Sequence, residues 1–324
     1  MLHYWLTWLL FEMASKGVEM KTIKIPNSDL NVSEIALGCM RISQLTNPQI
    51  SKLVHTALDQ CINFFDHADV YSDGKCEEKF SEALGMDSAL RERMLLQTKV
   101  GIRKTSYDFS KAHILEAVDG SLKRLRTDHL DVLLLHRPDA LVEPEQVAEA
   151  FDSLESSGKV RYFGVSNQNP MQIELLKKSV KQKLLFNQLQ FSITNTGMID
   201  PGINVNMHVD GSINRDGSIL DYCRLHDITI QPWSPFQYGF FEGVFLDNNK
   251  FPELNRTIDD IAALRNVTNT AIAIAWILRH PAHMQPILGT TNPERVKDAC
   301  QASGVALTHQ EWYDIYLAAG NKLP

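Results

Sequence analysis

The sequence lacks the marks of several functional classes. It has only five cysteines in 324 residues (Cys39, Cys61, Cys76, Cys223 and Cys300), and no two form a CxxC pair. An odd, dispersed set argues against a disulfide framework and implies reduced thiols and a cytosolic location. Its eleven histidines form no HExxH, and none stands at ligand spacing from a cysteine pair, so no structural or catalytic metal is expected. Positive charge is in deficit: the formal net charge is −7, which gives no basic surface for nucleic acid. Neither GxGxxG nor the P-loop pattern occurs, so two common phosphate-binding signatures of open α/β sheets are missing. Long apolar runs are absent except at the start. There, MLHYWLTWLLF is shorter than the roughly 20 residues of a membrane span, and it lacks the basic flank of a signal peptide. Residues 1–19 are therefore expected to lie outside the fold. Residues 20–324 are expected to form one domain with no membrane span.

What remains is a chain with 44% hydrophobic residues, enough for a substantial core. A strand–turn–strand pattern opens at Met20. Short β-rich runs then alternate with helical periodicity. The runs are Glu34–Leu37, Phe64–Asp66, Leu95–Lys99, Val132–His136, Tyr162–Ser166, Phe186–Phe191, Thr229–Trp233 and Gln285–Leu288. Between them, Ile50, Leu53, Val54, Ala57 and Leu58 recur at helical spacing, as do Ile114, Leu115, Val118, Leu122 and Leu125. Asn292 followed by Pro293 reads as an N-cap and first turn. Eight such units point to a closed (β/α)8 TIM barrel with an N-terminal hairpin cap, and a doubly wound open sheet is the alternative. Two long connections, Ser192 to Gly217 and the stretch from Phe236, exceed ordinary loop length and are expected to cover a ligand.

In such a barrel the C-terminal strand ends share one face. The second strand would end on Asp66, the third on Lys99 and the fourth on His136, with Tyr71 on the loop after Asp66. Taken singly, these residues read as an ion pair, a satisfied strand-end histidine and a loop anchor. Taken together, they suit the reduction of a carbonyl. Hydride attack leaves an alkoxide that needs a proton, and a phenol can give it. A lysine cation about 4 Å away favours phenolate by roughly 4 kcal/mol at an effective dielectric of about 20. That corresponds to a fall of up to about 3 pKa units, which desolvation opposes. Asp66 would hold Lys99 charged, and His136 would orient the substrate oxygen.

The series FDHADVY, TKVG, LLLHRPD, GVSN, NQLQFS, WSPF and LGTTNPERV resembles the aldo-keto reductase family, in a bacterial subgroup with D-H-A-D before the tyrosine. The resemblance covers residues 20–324. It implies an NADP-dependent oxidoreductase that reduces aldehydes or ketones with NADPH, with Asp66, Tyr71, Lys99 and His136 as catalytic residues and Tyr71 as general acid. It also implies a cofactor path. Gly38, Cys39 and Met40 would touch the nicotinamide ribose, beside Asp66. Ser166, Asn167 and Gln188 would hold the carboxamide, and Trp233 would stack on the nicotinamide. Ser234, Pro235, Phe236 and Gly239 would follow the pyrophosphate. Leu288, Gly289, Thr290, Thr291 and Arg295 would reach the adenosine end, with Arg295 on the 2′-phosphate and a helix N-terminus beside it. Gly289 is a departure, because many eukaryotic relatives carry a phosphate-binding lysine there. Met40, Arg137 and the Ser192–Gly217 segment would shape the pocket for a small aldehyde, ketone or dicarbonyl. The expected assembly is a monomer or weak homo-oligomer. Two rival readings are a nucleotide-sensing regulatory module and a barrel lyase using Lys99 as a Schiff-base nucleophile.

Overall fold

The structure is a computed structural model that describes residues 20–324; the expected extension at 1–19 lies outside the described residues. The chain opens with a hairpin, β1 (Thr22–Lys24) and β2 (Asn31–Ser33), paired antiparallel. Eight parallel strands then close the main sheet. They are β3 (Ala36–Gly38), β4 (Phe64–Asp66), β5 (Leu95–Val100), β6 (Leu130–Leu135), β7 (Val160–Ser166), β8 (Leu184–Gln190), β9 (Thr229–Trp233) and, after the short hairpin β10 (Gln237–Tyr238) and β11 (Gly243–Val244), β12 (Ile287–Leu288). The order β12-β3-β4-β5-β6-β7-β8-β9 is sequential. The ring is joined where the Gln285 amide donates to the Ile230 carbonyl at 3.0 Å. This is the (β/α)8 barrel that the alternating pattern implied.

The strands are covered on both faces, so they run apolar at successive positions: every residue of β6 is buried. Helices supply the outer layer. Asn47–Asp59 buries Ile50, Leu53, Val54, Ala57 and Leu58, the stripe visible in the sequence, and starts with a capping box from Thr46 and Gln49. Lys111–Leu125 buries Ile114, Val118, Leu122 and Leu125 behind an Ser110 N-cap. One core lies between the strands and the helices. A second fills the N-terminal half of the barrel, where Ile25, Leu30 and Val32 of the hairpin pack against Phe64, Val132, Leu134 and Phe186. The hairpin thus plugs one end of the barrel and leaves the C-terminal end open.

The two long connections carry more structure than their composition suggested. The first holds a short helix, Asp200–Ile203, and a 3-10 turn, Asp210–Ser212. The second forms the β10–β11 hairpin before the helix Pro252–Arg265. Among the described residues, no single helix is long and apolar enough to cross a membrane.

Candidate active site

The open end is organised by Asp66. It is the last residue of β4 and is buried. Its Oδ2 accepts from Lys99 Nζ at 2.8 Å. Its Oδ1 accepts from Gln97 Nε2 at 2.6 Å and from Gln188 Nε2 at 3.0 Å. The network continues down the barrel axis through Gln231 and Gln285 to the Ser33 carbonyl. Two glutamines, from β5 and β8, therefore fix one carboxylate, and Gln231 of β9 and Gln285 just before β12 extend the chain of hydrogen bonds.

Lys99 is wholly buried on β5. Besides Asp66 it donates to the His67 carbonyl at 2.7 Å and to Tyr71 Oη at 3.1 Å. Burial alone would drive the amine towards neutrality. Asp66 and Tyr71 outweigh it, so its pKa lies above the ordinary lysine value. A charged, carboxylate-paired lysine is a poor Schiff-base nucleophile, which weighs against the lyase reading.

Tyr71 stands on a tight turn between β4 and the helix Lys75–Leu84. Ser72 and Asp73 take positive φ there (51° and 55°), followed by Gly74 at 83°, and the turn folds the phenol back over Lys99. The sequence argument expected Lys99 to win and lower the phenol pKa. The structure gives the opposite balance: burial pushes Tyr71 above its ordinary value, and Lys99 only partly offsets this. The reason is that the half-buried ring packs at the barrel mouth, where a phenolate loses more hydration than one cation returns. The phenol therefore stays protonated at neutral pH, the state a proton donor needs. His136, just after β6, meets the Tyr71 ring edge-on with centroids 5.9 Å apart. Burial, Lys99 and Arg137 hold its pKa well below the ordinary histidine value, so it is neutral.

A cavity of about 530 Å³ runs from this cluster across the barrel mouth. Of the residues expected on a cofactor path, Gly38, Met40, Asp66, Gln188, Trp233, Ser234, Pro235, Phe236, Gly289, Thr290, Thr291 and Arg295 line it, together with Tyr71. Cys39, Ser166, Asn167, Gly239 and Leu288 lie behind or beside that lining. Cys39 is buried, with its amide bonded to the Asp66 carbonyl. Leu288 is buried on β12. Ser166 Oγ bonds the Gln188 carbonyl, and Asn167 Oδ1 accepts from Trp233 Nε1 at 3.2 Å, which sets the indole orientation. The Gly239 carbonyl accepts from Gln190 Nε2. At the far end, Asn292 caps the helix Pro293–Cys300 by accepting from the Glu294 amide.

Several wall residues escaped the sequence reading. Arg41 donates through Nε to the Gly289 carbonyl at 2.9 Å. A Cβ on Gly289 would lie 3.5 Å from its Nη2, so an arginine from the β3 side stands close to the place left without a lysine. Phe241, Val244, Leu246 and Asp247 come from the β10–β11 hairpin and its exit. The run YGFFEGVF, with glycines spaced for a hairpin, was the available signal.

Buried Glu77 and half-buried Asp69 form a second acidic group near Tyr71. Glu77 accepts from Thr98 Oγ1 at 2.6 Å and pairs with Arg124 at 2.8 Å. Asp69 is pushed up to about 7, chiefly by burial and then by Glu77, with Arg124 opposing.

A profile of the aldo/keto reductase family matches residues 34–317. The chain belongs to the aldo/keto reductase family. Its sequence is 35% identical over 304 residues to the uncharacterised oxidoreductase YcsN of Bacillus subtilis (strain 168), covering 90% of this chain and 95% of that protein. It is 34% identical over 307 residues to a 6-dehydroglucose reductase of Agrobacterium fabrum, covering 90% and 96%. The fold is similar to that of an aldo-keto reductase from Klebsiella pneumoniae solved in complex with NADPH, with a TM-score of 0.72 at 24% identity, covering 91% of this chain and 94% of that one. This aldo/keto reductase is thus an oxidoreductase by family. Its Asp66, Tyr71, Lys99 and His136 stand together at the barrel mouth, as the order of strand ends predicted.

Proposed function

We propose that the protein reduces small aldehydes or ketones to alcohols with NADPH, with Tyr71 as the general acid. The observation that carries this reading is the contact of 3.1 Å between the buried Lys99 ammonium and the hydroxyl of Tyr71, which lines a cavity that ends at Arg295. The cavity residues fit a dinucleotide. An indole wall lies at one end and a capped helix start with two threonine hydroxyls and Arg295 at the other, and Arg41 adds a second cation between them. When bound, the cofactor supplies the hydride.

The rest is work for the chain's own groups. Neutral His136 hydrogen-bonds and orients the carbonyl oxygen. Tyr71 donates its proton to that oxygen as negative charge builds there. The phenolate left behind is stabilised by Lys99, and Asp66 keeps Lys99 charged and in place. Trp233 offers a flat surface whose tilt Asn167 holds. The relative named as a 6-dehydroglucose reductase supports a carbonyl substrate in general.

The test is a panel of aldehydes and ketones with NADPH oxidation as readout and Tyr71→Phe as control. Turnover with the native chain is expected to vanish in the variant while NADPH affinity changes by no more than a few-fold. Unchanged turnover in Tyr71→Phe would overturn the acid assignment.

A further inference from the structure

Arg137 follows His136 at the end of β6. The sheet places β7 and β8 between β6 and β9, yet the Arg137 guanidinium carbon lies 5.6 Å from the centroid of the Trp233 ring on β9. The side chain therefore spans part of the barrel mouth, from the histidine to a wall of the cavity. The other half-buried arginines all have acceptors: Arg91 pairs with Asp131, Arg124 with Glu77 and Arg265 with Glu311, while Arg279 donates to the Leu307 carbonyl. Arg137 is half-buried too. Among the described residues, however, it has no carboxylate and no hydrogen-bond acceptor, only the indole face. A cation–π contact uses none of the N–H groups, which leaves five donors for another partner.

A guanidinium next to the carbonyl-binding histidine, with its fork unpaired, is shaped for two oxygens side by side. We propose that Arg137 selects carbonyl substrates that carry a pair of acceptor oxygens, a carboxylate or vicinal hydroxyls, on the side away from the reacting carbon. The formal charge favours the carboxylate, and the fork geometry serves either. The proposal rests on the reading of Tyr71 and His136 as the carbonyl site.

The experiment compares kcat/KM for 4-carboxybenzaldehyde with benzaldehyde, and for glyceraldehyde with propanal. It uses the native chain, Arg137→Met and Arg137→Lys. A direct binding arm titrates benzoate against benzyl alcohol by calorimetry. In the native chain at least one ratio is expected to exceed about tenfold, and to fall to near one in Arg137→Met. Arg137→Lys keeps a point charge but no fork. It should retain part of a carboxylate preference and little of a hydroxyl preference. A preference confined to one pair names the acceptor. Ratios near one in the native chain, or ratios unchanged in Arg137→Met, overturn the proposal. Benzoate binding that is lost in Arg137→Met, in a protein that reduces none of the four aldehydes, would sustain the acceptor site while removing the reductase reading.

Discussion

Replacing Lys99 by Met tests the central electrostatic claim. The substitution keeps a flexible chain of similar length and deletes the cation 3.1 Å from Tyr71 Oη and 2.8 Å from Asp66 Oδ2. At an effective dielectric of about 20, a unit charge at that distance from a phenolate contributes about 5 kcal/mol. If most of it is felt in the transition state, kcat should fall by about a thousandfold or more. NADPH affinity should change by only a few-fold, because Lys99 does not line the cavity. Asp66 would be left as a buried carboxylate without its cation, and breaking such a pair costs about 3–5 kcal/mol of stability. The double variant Asp66→Asn/Lys99→Met removes that stranded charge, since Asn can still accept from Gln97 and Gln188. It should recover part of the lost Tm and none of the lost rate. The assay is single-turnover oxidation of bound NADPH in protein shown to be folded by circular dichroism. A kcat within tenfold of the native value, in either folded variant, would refute the claim that the phenol needs this cation.

Other outcomes can be stated briefly. Arg295→Ala should raise the KM for NADPH at least about tenfold and leave that for NADH nearly unchanged, because a charged hydrogen bond to the 2′-phosphate would be lost; equal effects on both would remove the phosphate assignment. The buried carboxyl of Asp69, pushed up to about 7, binds more protons folded than unfolded between about pH 4 and pH 7. Its contribution is therefore full at the acid end and is lost as pH rises through that window. Asp69→Asn should raise Tm more at pH 8 than at pH 5, as measured by thermal melts; an equal shift at both pH values would show that the carboxyl does not titrate there.

The sequence by itself determined the barrel and its polar strand ends. The run VLLL before His136 is apolar on successive residues because helices cover one face and the barrel interior the other. Asp66 ends β4, Lys99 is the penultimate residue of β5 and His136 follows β6, so each polar residue sits within one residue of a strand's C-terminal end. The helix stripes and the Asn292–Pro293 start were legible for the same local reason: capping and periodicity act over a few residues. The hydrogen-bonded chain of glutamines from β5, β8, β9 and the segment before β12 was not. Each looks like a local polar exception, and only the closing of the barrel turns them into one chain of hydrogen bonds ending on Asp66. The sign of the Tyr71 shift was hidden too. Sequence spacing suggested a cation near the phenol, but desolvation depends on everything packed around the ring, and that sum exists only in the folded chain. The same holds for Arg137: the sequence put it beside His136, while tertiary structure alone laid it on an indole three strands away with no acidic neighbour to claim it.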